Sequence, residues 1–192
     1  MNLDKAIKTR KSVRKFTLDK PDWRKIIRAI DAVRFAPMAG NYFSSHFILI
    51  KDPKIIKEIK EACQQEFVGE AHYLVVVVSD DTQLKKLYDD KAEKFARQQA
   101  GAAIENFLLA LHSLGLSTCW VGWYEESQVK RAIGIRDNDP NLVVEALFPI
   151  GKESKVKAGQ RPKKPDLERY IYFDKFGNKF FDPKTRVSIE SV

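Results

Sequence analysis

The sequence predicts an α+β domain, a sheet with helices packed against it, and three observations carry that prediction. Tyr73 to Ser79 is a short, almost unbroken apolar run rich in valine. Its length and β-branching argue for a central strand buried on both faces, which requires helices on both sides of a sheet. Residues 96–114 form the other long apolar stretch, with Ala100, Ala103, Ile104, Phe107, Leu108 and Leu111 at helical spacing. Ala102, Leu109 and Ala110 make this helix apolar nearly all round, so it must lie in a core or an interface. Elsewhere, helix and strand patterns alternate. The 192 residues contain no internal repeat, low-complexity segment or evident linker, so one domain is expected over 1–192, with 166–192 as a C-terminal extension.

Composition narrows the function classes. Hydrophobic content of 44% with 31% charged residues belongs to an ordinary globular chain. The N-terminus has no apolar signal core, and no apolar run approaches the ~20 residues that span a bilayer, so a cytoplasmic protein is expected. Cys63 and Cys119 lie far apart without metal-like spacing and read as buried thiols in a reducing compartment. No phosphate-binding Gly-x-Gly-x-x-Gly, P-loop or nucleophile elbow is present, and no metal site is expected. The net charge of +8 is uneven. Residues 1–28 hold ten Lys and Arg against three Asp and Glu, and residues 151–192 hold eleven against six, while the middle is acidic. Positive charge at both ends implies an anionic partner, either a small phosphate ligand or nucleic acid.

In order along the chain, Asn2 to Thr9 reads as a short helix with Asn2 as its cap. Arg10 to Phe16 then places Arg10, Ser12 and Arg14 at a spacing of two, on one side of an extended backbone, with Phe16 as an anchor. Two forked guanidiniums and a hydroxyl suit a phosphate; a solvated basic run is the other reading. Asp19-Lys20-Pro21-Asp22 starts a helix that runs to about Arg34, with Trp23 in its core or flank. A turn-rich loop, Ala36 to His46, leads to a strand over Phe47–Ile50. Pro53 to about Cys63 is an amphipathic helix capped by Asp52. Asp80 through Lys94 is a surface helix or cover, followed by the long apolar helix. Trp120 to Trp123 ends a strand and opens a loop, where the plain reading gives two core tryptophans and a turn glycine. A helix over Glu126–Ile133 and a strand over Leu142–Gly151 follow. A basic stretch leads to Arg161-Pro162-Lys163-Lys164-Pro165, and the tail turns at Asp174–Asn178 between two extended pieces.

Arg10-x-Ser12-x-Arg14-x-Phe16 after a short helix resembles the opening motif of the nitroreductase-like flavin oxidoreductase family, and three further segments match in order. Pro37 and Asn41 fit that family's Pro-Ser-x-x-Asn-x-Gln-Pro-Trp loop, although Met38 stands at Ser, Phe43 at Gln and Ser44-Ser45 at Pro-Trp. Gln99-x-Gly101-x-x-x-Glu105-Asn106, with Leu114-Gly115-Leu116-Ser117-Thr118-Cys119-Trp120, is similar to Asp-x-Gly-x-x-x-Gln-Asn and Gly-Leu-Gly-Thr-x-Trp. Pro149-Ile150-Gly151 and Arg161 to Glu168 match the closing strand and signature.

The resemblance implies a three-layer sandwich with a mixed, mainly antiparallel sheet, and a homodimer with FMN at the subunit interface. The C-terminal extension, with its apolar aromatics, is expected to pack on the body or to cross to the partner subunit. Arg10, Lys11, Ser12 and Arg14 would hold the phosphate and pyrimidine side of FMN, and Pro37, Met38, Ala39 and Asn41 would lie against ring and phosphate. Val121 and Gly122 would pass beside the ring and offer it a backbone N–H; a residue without a side chain suits that approach. Arg161 first, Lys163 second, would reach back to the phosphate. No side chain is assigned as a catalytic acid, because the flavin carries the chemistry. The implied activity passes reducing equivalents from NADH or NADPH through bound flavin to an electron-poor small molecule, such as a nitroaromatic or quinone, in a ping-pong cycle. A specialised flavin reaction such as dehalogenation or cofactor chemistry is one alternative. A basic nucleic-acid-binding module is another, against which no helix-turn-helix or RNA-binding signature is found.

Overall fold

The computed structural model describes residues 1–154, 164–182, 185 and 186. The chain falls into two compact units, Met1–Val156 and Lys157–Val192.

In the first unit, α1 (Leu3–Thr9) begins where the Asn2 side chain accepts a hydrogen bond from the Lys5 N–H at 2.9 Å. An extended segment leads to α2 (Trp23–Asp31), capped by Asp22 and prolonged by a 3₁₀ turn over Ala32–Phe35. Strand β1 (Ser45–Ile50) precedes α3 (Pro53–Cys63), which has Asp52 as N-cap and proline in its first turn, where a missing N–H costs nothing. A short α4 (Glu66–Gly69) leads into β2 (Tyr73–Asp80), then α5 (Thr82–Tyr88) and the 22-residue α6 (Ala92–Ser113). The two-residue β3 (Ser117–Thr118), α7 (Glu126–Ala132) and β4 (Leu142–Gly151) complete the unit.

The sheet has the order β1-β2-β4-β3, and every strand pair among the described residues is antiparallel. Strand β2 is buried from Tyr73 to Ser79, as its unbroken apolar run predicts. Val75 and Val77, with Ala146, Phe148 and Ile150 of β4, face Ile26 and Ala29 of α2 and Ala103, Ile104, Phe107 and Leu111 of α6. Leu74, Val76 and Val78, with Val144 and Leu147, face Ile56 and Ile59 of α3 and Val129 of α7. Two cores on opposite faces of one sheet make the three expected layers.

Helix α6 starts four residues before the position that apolar spacing indicates. Ala92 and Ala96, one turn apart on one face, pack on fully buried Leu84 of α5, and this third cluster extends the helix. Among the described residues no helix is long and apolar enough to cross a membrane.

The second unit contains a 3₁₀ turn at Leu167–Arg169 and a small antiparallel ladder of β5 (Phe180–Asp182) and β6 (Thr185–Arg186). The turn expected near Asp174–Asn178 is present: Asp174 and Gly177 have φ of 57° and 93°, and Phe173 and Asn178 bond through backbone and side chain.

Candidate functional site

The segment Arg10–Thr17 is held by an exposed sheet edge. Strand β3 is the outermost strand, and its unpaired backbone groups are a template for another extended segment. The Val13 N–H donates to Thr118 O at 2.9 Å, the Thr17 N–H to Lys152 O at 2.9 Å, and the Ser154 N–H returns to Lys15 O at 3.0 Å. Val13 is buried, and the Phe16 ring lies against Gly151 so closely that a Cβ there would come within 2.7 Å of it. These anchors leave Ser12 and Arg14 exposed.

The four basic-motif residues therefore differ in availability. Arg10 is half-buried and faces Glu105 of α6 at 3.7 Å, and Lys11 is ion-paired with Glu153. Arg14 joins no ion pair among the described residues; its guanidinium sits over the Phe67 ring, 5.9 Å from the centroid. Among the described residues, Arg14 and the Ser12 hydroxyl are the donors of the set without an ion-pair or hydrogen-bond partner.

The segment after β3 lies close by. Val121 is core, with the Val121 N–H and C=O both bonded to Leu147 at 3.0 Å. Gly122 is exposed, and its N–H has no partner among the described residues. Between the two residues singled out, Gly122 alone retains a free donor. The tryptophans are not core residues: Trp120 is 42% and Trp123 81% exposed, although the Trp120 ring still meets Phe148 edge-on at 5.6 Å. Val121 turns into the core on the α3 and α7 side, while its neighbour Trp120 lies toward Phe148 on the other face. Trp23 is likewise 46% exposed, on the flank of α2.

Two residues without any sequence signal join these segments. Phe67 of α4 stacks under Arg14, and Gln65, in the same α3–α4 connection, donates from Nε2 to Trp123 O at 3.4 Å. Their positions follow from where α3 packs against α7, which no local pattern encodes. Tyr124 adds an anchor, its hydroxyl donating to Val144 O at 2.7 Å. Burial, with Glu126 and Glu145 nearby, pushes this phenol well above its ordinary range, so it stays protonated as the donor.

The loop Pro37–Asn41 meets α6 at an earlier turn. The Ala39 N–H donates to Gln99 Oε1 at 3.1 Å, while Gln99 Nε2 donates to Ser44 Oγ at 3.0 Å. Buried Gln99 thus clamps both sides of the loop with one amide. Gly40 and Asn41 have φ of 59° and 58°, a left-handed pair that glycine and asparagine tolerate. Pro37, Met38 and Ala39 form one wall of an open hollow of about 500 Å³, closed opposite by Tyr88, Phe95 and Ala102. Tyr88 and Phe95 pack edge-to-face with centroids 4.8 Å apart.

Within one chain, then, Arg10–Arg14 and Val121–Gly122 share a neighbourhood through β3 and the α3–α4 connection, while Pro37, Met38, Ala39 and Asn41 lie at a separate stretch of α6. Arg161 and Lys163 fall outside the described residues. Cys63 and Cys119 are buried and unpaired, and burial raises the Cys63 thiol. Among the described residues no cluster of His, Cys, Asp or Glu is arranged to hold a metal.

The model of the Nitroreductase family matches residues 7–67 and 60–152. A protein of Archaeoglobus fulgidus with the provisional name NADH dehydrogenase/NAD(P)H nitroreductase is 31% identical over 149 residues, 77% of this chain and 83% of that protein. A crystal structure of a nitroreductase family protein from Clostridium novyi superposes with a TM-score of 0.73 at 27% identity, covering 96% of this chain and all of the other. An FMN-dependent nitroreductase from Clostridium difficile shares the fold, with a TM-score of 0.73 at 19% identity, over 91% of this chain and all of that one.

Proposed function

The chain belongs to the nitroreductase family, and on that premise we propose that it is an FMN-dependent oxidoreductase. It takes reducing equivalents from NADH or NADPH and delivers them to an electron-poor small molecule, a nitroaromatic or a quinone, in a ping-pong cycle. The observation that carries this reading is that Ser12, Arg14 and the Gly122 N–H share one neighbourhood and have no hydrogen-bond or ion-pair partner among the described residues.

That donor set fits FMN. Ser12 and Arg14 offer a hydroxyl and a fork of N–H groups to phosphate or pyrimidine oxygens. Arg10 and Lys11 add charge to the same region, each held in place by a carboxylate, Glu105 or Glu153. Gly122 presents backbone without a side chain, so a flat ring can come close to its N–H. Arg161, or Lys163 after it, is proposed to close on the phosphate. When bound, FMN supplies the ring that carries hydride or electrons. The chain's own part is to position and to exclude water. Arg14 on Phe67, and Val121 on Leu147, are fixed by contacts that survive without a ligand.

The working unit is proposed to be a homodimer. Phe95, Ala102 and Leu109 of α6 are half-buried in one chain, along a helix whose opposite face packs in the core. A second copy on that stripe would cover it and bring the partner's Pro37–Asn41 loop to complete each site. The C-terminal extension is proposed to lie on the partner. The unpaired buried cysteines agree with a reducing compartment, and the cytoplasm is the proposed location.

The test is a visible absorbance spectrum of purified protein, taken before and after FMN and then after anaerobic NADH or NADPH. A flavin spectrum that bleaches with a nicotinamide and returns on adding a nitroaromatic or quinone is expected. Protein that neither carries nor takes up FMN would overturn the reading.

A further inference from the structure

One hollow of the first unit shares no lining residue with the candidate-site segments described above. It has a volume of about 590 Å³ and sits between α3, the entry to β2 and the chain before α2. Its floor is apolar, with buried Ile56 and Ala71, while its walls are basic: Lys20, Lys51, Lys57 and Lys60, with His72 at the rim.

The charges do not cancel. Lys60 is taken by Glu66 at 3.1 Å, and its stem is pressed against Gly69, where a Cβ would come within 2.8 Å of Lys60 Cδ. Lys20, Lys51 and Lys57 form no ion pair among the described residues, and Glu70 is the one acidic side chain left in the lining. Lys20 rests on the Tyr73 ring, 5.5 Å from its centroid. The His72 Nε2–H donates to Leu18 O at 2.8 Å, which ties the Lys20 wall to the start of β2. Three lysines, Lys20, Lys51 and Lys57, thus line one concavity, and none is neutralised by an ion pair among the described residues. A cleft lined by one sign of charge concentrates its field inward. The volume is in the range of small-molecule sites.

We propose that this hollow binds a small organic anion carrying two or more negative charges on phosphate or carboxylate groups. The apolar floor takes the organic body, and the ammonium groups of Lys51, Lys57 and Lys20 take the charges. Lysine serves such groups as a point charge without the planar geometry that arginine imposes. Concavity favours a small molecule over an extended polyanion, which would need the basic groups on a broad convex or grooved face. The inference stands apart from the flavin reading, because no residue is shared with it.

The test uses the full chain with and without saturating FMN, so that anion binding at the basic N-terminal segment is told apart from binding in the hollow. Sodium pyrophosphate and citrate are titrated separately by calorimetry, against wild type, Lys51→Gln, Lys57→Gln and Lys54→Gln. Lys54 is exposed on the same helix but does not line the hollow. Saturable one-to-one binding is expected for at least one anion, weaker by about tenfold in Lys51→Gln and in Lys57→Gln, unchanged in Lys54→Gln, and falling with salt. Pyrophosphate binding alone would assign phosphate, citrate alone carboxylate. Absence of saturable binding for both anions would overturn the proposal. So would binding indifferent to Lys51 and Lys57, or an equal loss in Lys54→Gln, which would mark a general charge effect. All the substituted lysines are exposed, and unchanged thermal midpoints would show that each variant folds.

Discussion

Val121 and Leu147 exchange both of their backbone hydrogen bonds, each N–H donating to the other's carbonyl at 3.0 Å. This pair fixes the chain just before Gly122 to the centre of the sheet, and the Gly122 N–H has no partner among the described residues. A Cβ at position 122 meets only the Trp120 ring, Nε1 at 3.8 Å and Cδ1 at 4.0 Å, which is ordinary contact. Gly122→Val is therefore expected to fold with a thermal midpoint close to wild type. Its FMN dissociation constant, read from flavin fluorescence, should rise about tenfold or more, because the branched side chain holds the ring away from the backbone. An unchanged constant would remove Gly122 from the site.

Gln99 satisfies two groups at once, the Ala39 N–H and the Ser44 hydroxyl. Gln99→Leu leaves both without their partner in a buried setting, and a loss of about 2–4 kcal/mol in denaturant unfolding is expected. Gln99→Glu keeps the acceptor for Ala39, and the Ser44 hydroxyl can turn to donate, so its loss should be the smaller of the two. Equal losses would show that packing, not the amide, holds the loop.

Gly151 has no room for a methyl group. A Cβ would lie 2.7, 2.9 and 3.0 Å from Phe16 Cδ1, Cγ and Cβ, so the whole residue, and not only its ring tip, would have to move. Gly151→Ala should cost about 1–3 kcal/mol of stability and also weaken FMN binding, since Phe16 anchors the segment that presents Ser12 and Arg14. A stability loss with FMN affinity intact would separate the anchor from the site.

Asp80 titrates below its ordinary range. Burial pushes its carboxyl up, but hydrogen bonds from the Thr82 side chain and N–H, with His46 and Lys85 nearby, outweigh that and favour the charged form. A carboxyl lowered by folding adds stability above the unfolded-state value, about 3.9, and that contribution disappears as pH falls through the lower folded value. Unfolding free energy of wild type should therefore drop more steeply between about pH 5 and 2 than that of Asp80→Asn. Parallel pH profiles for the two proteins would contradict the assignment.

Much of the architecture was legible because it rests on local rules. The valine run of β2, the caps Asn2 and Asp52 and the helical spacing of Phe107 and Leu111 each encode their own conformation, and the elements appear where those signals lie. The start of α6 was not legible, since it depends on Leu84 packing against Ala92 and Ala96 from another helix. The tryptophans were misplaced for a related reason. Hydrophobic type says that Trp120 and Trp123 can be buried, but the pairing of Val121 with Leu147 sends Val121 into the core and leaves Trp120 partly exposed beside Phe148.

The sequence by itself determined the layers, the family-like order of motifs and the basic character of residues 10–14. Only the tertiary structure decided which of those charges are free: Glu105 and Glu153 come from distant elements to occupy Arg10 and Lys11, while Phe67 supports Arg14 without neutralising it. It also decided that Gln99 would hold a loop 60 residues away and that Lys51 and Lys57 would share one hollow. Secondary structure follows from spacing along the chain, because neighbouring residues share one backbone geometry. The state of a charge follows from what lies within a few ångströms in space, and that is set by how the elements pack.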